Sequence, residues 1–231
     1  MAANSKRRKD SRSLPAYSVS EVSHYLSVPS GTVRYWSTGQ GNYEALIDIP
    51  THDPVALLSF FNVVELHVLS AIRRKHAISM PKVRAAIEYL KKQTSNAHER
   101  RHPLISRQLE TDGLDLFIDH YGQLVNISRA GQTAIREVMA SALKRIDRDA
   151  QGIPVRLFPF TRNDLANAPA MVVIDPRVSA GRPVIAGTGL ATEIIAERYK
   201  AGDSIRELAK DYERKPTEIE EAIRCELKTA A

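Results

Sequence analysis

His98, Glu99 and His102 stand in the order H-E-x-x-H, the spacing at which two histidines one helical turn apart hold zinc and the glutamate activates water. Arg100 and Arg101 fill the intervening positions and would repel a dication, and Pro103 ends any helix at once. No apolar face surrounds the motif, so residues 95–103 read as a polar, solvated linker. Gly187-Thr188-Gly189 suggests a phosphate cradle, but it lacks the glycine spacing and the lysine of a P-loop and falls in a predicted hairpin. The single cysteine, Cys225, excludes an internal disulfide and a cysteine-rich zinc site, and its helical spacing with Ile219 and Ala222 marks a small buried hydrophobe. Paired carboxylates, a nucleophile motif and a metal cluster are all wanting, so the sequence points away from catalysis and calls for no cofactor.

A different chemistry is offered by Ser30, Gly31, Thr32, Arg34 and Tyr35, donors suited to phosphates and base edges. They need an element that turns them outward. In residues 17–36, YSVSEVSHYLSVPSGTVRYW, Ser18 and Glu21 form an S-x-x-E capping box that starts a helix at Val19, with Val19, Val22 and Leu26 on its apolar stripe and Glu21 and His24 pointing away. Ser27 and Val28 make a turn, and Pro29 and Ser30 open a second helix whose Val33 and Trp36 pack back on the first. The donor set then faces out, as in a helix-turn-helix. T-V-R-Y-W after a capped helix and a short turn resembles the opening of the MerR family of winged helix-turn-helix regulators. The resemblance implies that Arg34 and Tyr35 contact the DNA backbone. Residues 37–42 and a short strand over 45–49, stopped by Pro50, fit a wing. A buried helix capped by Ser59 and a second one restarting at Ser79 to Pro81 follow the same pattern, without the long coiled coil that usually pairs such proteins.

Charge says how such a unit could grip DNA. Of the net +6, the tail through Arg12 holds +4, from Lys6, Arg7, Arg8, Lys9 and Arg12 against Asp10. Residues 15–50 carry one cation, Arg34, against Glu21, Glu44 and Asp48; residues 59–92 carry seven against Glu65 and Glu88. The reading helix can select a sequence, while the tail, expected to be disordered when free, and the cationic helices between residues 73 and 92 supply the grip. No apolar run is long enough to span a bilayer and the N-terminus is no signal peptide, so the cytoplasm is the expected compartment.

The fold class expected is mainly α with small β elements, in four parts: a basic tail over 1–14, a winged helix-turn-helix with supporting helices over 15–95, a small α+β unit over 96–165, and a β-hairpin plus helix-turn-helix over 166–231. In the middle unit, period-two patterning predicts strands over 105–109, 114–118 and 123–127, a helix from Ser128 through Ile146, and a strand over 153–158. It offers a structural or dimerising role. In the last part, strands over 171–174 and 183–186 lead into helices over 190–200, after Asp203 or Ser204, and from Pro216.

The run I-D-P-R-V-S-A-G-R-P-V-I-A-G-T-G-L-A-T-E-I-I-A-E-R-Y-K-A-G-D-S resembles the bacterial family known as domain of unknown function 433. Joined to the MerR-like start, the chain resembles VapB-type antitoxins. That resemblance implies a PIN-like ribonuclease toxin as partner, double-stranded operator DNA as ligand, a homodimer, and partner contacts from Arg182, Pro183, Gly187 and Thr188. Gly189 stands where the family usually has Arg, with Arg182 the nearest substitute. A stand-alone regulator, sensing a ligand or partner through its C-terminal half, is the alternative.

Overall fold

The computed structural model describes residues 10–51, 55–75, 80–125, 128–162, 164–165 and 167–227. Its N-terminal part forms as the local signals dictate. The Ser18 hydroxyl accepts the Glu21 amide at 3.2 Å while the Glu21 carboxylate accepts the Ser18 amide at 2.8 Å, closing the capping box of α1 (Val19–Leu26). Ser27, with φ of 52°, ends that helix and α2 (Ser30–Thr38) follows. Val33 and Trp36 are fully enclosed and seat α2 on α1.

No strand forms over 45–49. Leu46 and Ile47 are both buried, and both amides donate to the Trp36 carbonyl, at 2.8 and 3.3 Å. Two successive amides therefore point to one acceptor, which the alternating backbone of a strand forbids. The strand that does form, β1 (Tyr17–Ser18), precedes α1 and pairs antiparallel with β2 (Leu57–Leu58). Next comes α3 (Phe60–Lys75), capped by a reciprocal pair in which Ser59 Oγ accepts the Asn62 amide and Asn62 Oδ1 accepts the Ser59 amide. Residues 60–72 of α3 are buried on every side, as its broad apolar pattern requires. Then α4 runs over Met80–Gln93; Ser79 lies outside the described residues.

The middle of the chain departs from expectation. Residues 105–125 hold no strand: after α5 (Ala97–Arg101) and a 3-10 turn (Pro103–Ile105), a π-helical turn (Leu109–Gly113) leads directly into α6 (Leu114–Val125). Leu114, Phe117, Ile118 and Tyr121 are its buried positions, a spacing of three and four that the short alternating run at its start conceals. Residues 126–127, the end of the third expected strand, lie outside the described residues. Ser128 caps α7 (Arg129–Leu143) by accepting the Gly131 amide. The helix stops short of Ile146, which opens a hairpin of β3 (Ile146–Arg148) and β4 (Pro154–Leu157).

A short sheet of β5 (Val172–Val173) and β6 (Val184–Ile185) then leads to α8 (Thr192–Lys200), α9 (Ile205–Asp211) and α10 (Pro216–Leu227). Mainly α with small antiparallel sheets is thus the class observed. One apolar cluster extends from Tyr17 through α1–α4, α6 and α7 to Leu157 and Ile174, without a break near residue 95. The last three helices keep a core of their own, built on Ile185, Ile195, Leu208 and Ile219. Arg145 ties the connecting segment down by donating to the carbonyls of Phe158, Pro159, Ala168 and Pro169 at 2.8 to 3.0 Å. Among the described residues, no helix is long and apolar enough to cross a membrane.

Candidate nucleic-acid interface and partner module

The donor set of α2 lies on one side of that helix. Ser30, Gly31 and Arg34 are exposed, Thr32 and Tyr35 are half-buried, and Val33, Trp36 and Ser37 fill the opposite side. Pro29 stands at the cap position and no side chain caps the helix. The start of α2 therefore keeps amide donors and the positive end of the helix dipole open to an anion.

Beside it lies a surface that spacing alone did not reveal. The loop after α2 turns sharply at Gly39 and Gly41, with φ of 75° and 57°, and Gln40 and Tyr43 bridge across the turn. Tyr43, 52% exposed, meets Tyr35 edge-on with ring centroids 6.5 Å apart. Arg84 of α4 reaches over the Tyr43 ring at 5.8 Å and donates to the Glu44 carbonyl. Tyr35, Gln40, Gly41, Asn42 and Tyr43 line an open groove of about 440 Å³. The glycine-punctuated turn carrying an aromatic was the available signal for this surface.

The basic tail divides. Lys6, Arg7, Arg8 and Lys9 lie outside the described residues, whereas Arg12, expected to track phosphates with them, is turned inward within a 3-10 turn over Ser11–Ser13. Its guanidinium bonds Asp10 at 2.7 Å and Asp149 at 2.8 Å, donates to the Pro154 carbonyl, and lies 5.6 Å over Phe61. The hydrogen bonds from Arg12 hold the carboxyls of Asp10 and Asp149 below their ordinary range. Arg12 is an anchor for the tail.

The H-E-x-x-H residues are not a solvated linker either. Asn96 caps α5, and His102 turns inward so that its Nδ1 lies 3.0 Å from Glu65 Oε2, both side chains almost wholly buried. Asn62 donates to the same carboxylate at 3.3 Å, and the rings of His98 and His102 pack on Phe61 at 4.9 and 5.2 Å. Burial, with help from the nearby His102 and Arg12, keeps His98 below its ordinary value. Glu99 accepts from Thr94 at 3.0 Å. Among the described residues, no group of three or more His, Cys, Asp or Glu is placed to hold a metal. The cluster fastens α5 to α3.

In the last module, Arg182 is exposed and pairs with Glu193 at 3.0 Å, and Gly187 faces solvent with φ of 77°. Pro183 and Thr188 are used internally. The Pro183 carbonyl accepts the Thr192 amide, and the Thr188 hydroxyl donates to the Ile185 carbonyl at 2.8 Å and accepts the Leu190 amide at 3.1 Å. A Cβ at Gly189 would meet nothing within 4 Å, so its lack of a side chain answers no steric demand. The side chains Ile194, Tyr199 and Leu227 are 40–50% exposed on α8 and α10.

Residues 172–224 match the family model described as a protein of unknown function, DUF433. That span begins at β5 and ends within α10, so the matched segment is the separately cored C-terminal module. It is 53 of 231 residues, and the remainder of the chain finds its likeness elsewhere. A Mycobacterium tuberculosis protein named "Putative antitoxin VapB45" is 27% identical over 236 residues, covering 91% of this chain and 93% of the relative. A second protein of that organism, named "Uncharacterized protein Rv2308", is 23% identical over 215 residues, 90% of this chain and 88% of the relative. The crystal structure of Rv2018 from the same organism matches with a TM-score of 0.69 at 25% identity, covering 91% of this chain and 98% of that one. The fold of nine-tenths of this chain thus recurs in one solved protein.

Proposed function

We propose that this protein is the antitoxin of a toxin–antitoxin pair, a homodimer that binds its own operator through α2 and neutralises a PIN-like ribonuclease through the DUF433 module. The observation that carries the reading is likeness over nine-tenths of the chain to a protein named as an antitoxin, rather than over one module. The geometry supports the division of labour. Ser30, Gly31, Thr32, Arg34 and Tyr35 stand on one exposed side of a helix rooted by Trp36, and the Tyr35–Tyr43 groove with Arg84 extends that surface toward a second backbone contact. Arg34 selects and positions; Lys6, Arg7, Arg8 and Lys9, paid out from the Arg12 anchor, add phosphate neutralisation. In the DUF433 module, Arg182 and Gly187 present themselves to a partner, with Pro183 and Thr188 fixing the turns behind them.

Co-expression with the reading frame beside its gene, followed by capture through a tag on this chain, tests the partner arm. A stoichiometric complex that abolishes RNA cleavage by the captured protein is the expected result. Absence of a complex would remove the antitoxin reading and leave a stand-alone regulator.

A further inference from the structure

The DUF433 module meets the reading unit chiefly along α1, and that seam is polar and incompletely filled. A cavity of about 270 Å³ opens between them, lined on one side by Ser20, Glu21, His24 and Tyr25. Across it, His24 Nε2 lies 2.9 Å from Glu226 Oε2 on α10, and the Thr192 hydroxyl at the start of α8 donates to the other oxygen of the same carboxylate. One carboxylate therefore joins three helices. The His24 side chain is 33% exposed and that of Glu226 only 13%, so solvent reaches the proton-bearing partner more freely than the buried charge it neutralises. Nearby, Tyr17 packs against Gly181, where an added Cβ would collide with the phenol oxygen.

We propose that His24, Thr192 and Glu226 form a protonation-controlled latch holding the reading unit to the DUF433 module. The charged groups around it leave the pair in control. Glu21 on the same helix is engaged in the α1 capping box, Arg182 and Glu193 pair with one another on the DUF433 side of the cavity, and Lys200 of α8 opposes His24's charge. The hydrogen bond to Glu226 outweighs burial and Lys200 and raises His24 above its ordinary 6.5. Burial pushes Glu226 up, but the hydrogen bonds from His24 and Thr192 outweigh it and leave the carboxyl below its ordinary 4.5. A group raised on folding stabilises fully below its unfolded value and loses that effect as pH rises through the folded one; a lowered group does the reverse. The latch is therefore strongest from pH 4.5 to 6.5 and weakens as pH climbs through the raised His24 value. Because α1 carries α2 on Val33 and Trp36, the seam is packed one helix away from the helix that the proposed function assigns to DNA; in that last link alone the inference rests on that assignment.

The test reads the pair itself. In full-length protein, the His24 imidazole is titrated by NMR in the wild type and in Glu226→Gln, and hydrogen exchange of α1 and α10, corrected for intrinsic rates, is compared at pH 6 and pH 8. The expected result is a lower His24 midpoint in Glu226→Gln, with exchange at α1 and α10 rising together toward pH 8 in the wild type and unchanged with pH in His24→Gln. Should Glu226→Gln fail to fold, the Glu226 carboxyl midpoint in His24→Gln gives the same coupling from the other side and must rise. An unmoved midpoint, or the same pH dependence of exchange in His24→Gln, overturns the latch. DNA affinity does not enter these readings, so the latch and the DNA-reading assignment fail separately.

Discussion

Glu65, 1% exposed, is a carboxylate in the middle of the main core, and its neighbours decide whether it can stay there. His102 and Asn62 satisfy it from two sides. Removing one partner from a buried ionic contact strands the other, an effect of about 3–5 kcal/mol, whereas an apolar pair of similar volume is often neutral. His102→Ala should therefore lower the unfolding free energy in urea by about that amount, and Glu65→Leu with His102→Leu should recover most of it; equal losses in both would mean the pair is not what matters. The sequence showed His98, Glu99 and His102 at a recognisable spacing, with Arg100 and Arg101 between them. It could not show Glu65, thirty-seven residues away, waiting to bury His102. Arg12 misled in the same way, since its partner Asp149 lies 137 residues distant.

At the scale of elements, capping chemistry was legible and packing was not. Ser18 with Glu21, Ser59, Ser128 and Ser204 with Glu207 each begin a helix in the structure, because a cap is a contact over three residues. The middle unit was misread because Gly113 and Gly122 look like turn residues. Both lie within continuous helical structure, where their lack of a Cβ answers to close neighbours: a Cβ on Gly122 would press on the Gln132 side chain of α7, and one on Gly113 would lie 2.9 Å from the Gln108 carbonyl oxygen. Alanine favours a helix over glycine by about 1 kcal/mol, yet at Gly113 the backbone contact should dominate. Gly113→Ala is expected to destabilise by about 1–3 kcal/mol, measured from the denaturation midpoint and slope. A gain in stability would show that the π-helical turn relaxes without loss.

For the whole molecule, one core runs past residue 95 as far as Ile174, and Ile185 with the last three helices forms a second, tied to the rest by Arg162 on Glu221. The α1–α2 unit therefore shares its core with the middle helices and meets the DUF433 module along a polar contact. Local pattern could place α2 and list its outward donors; it could not place Tyr43 and Arg84 beside them, because that needs α4 to fold across the loop. The central claim is that this outward side of α2 reads DNA. Its most direct test is fluorescence anisotropy at fixed salt with the duplex upstream of the gene against a scrambled duplex, using the wild type and Arg34→Ala, an exposed position where substitution should leave folding within about 0.5 kcal/mol of wild type. The account predicts preference for the upstream duplex by the wild type and affinity about ten-fold weaker or worse in Arg34→Ala, the loss of one charge-assisted contact. Equal binding of the two duplexes, or an unchanged affinity in Arg34→Ala, would contradict it.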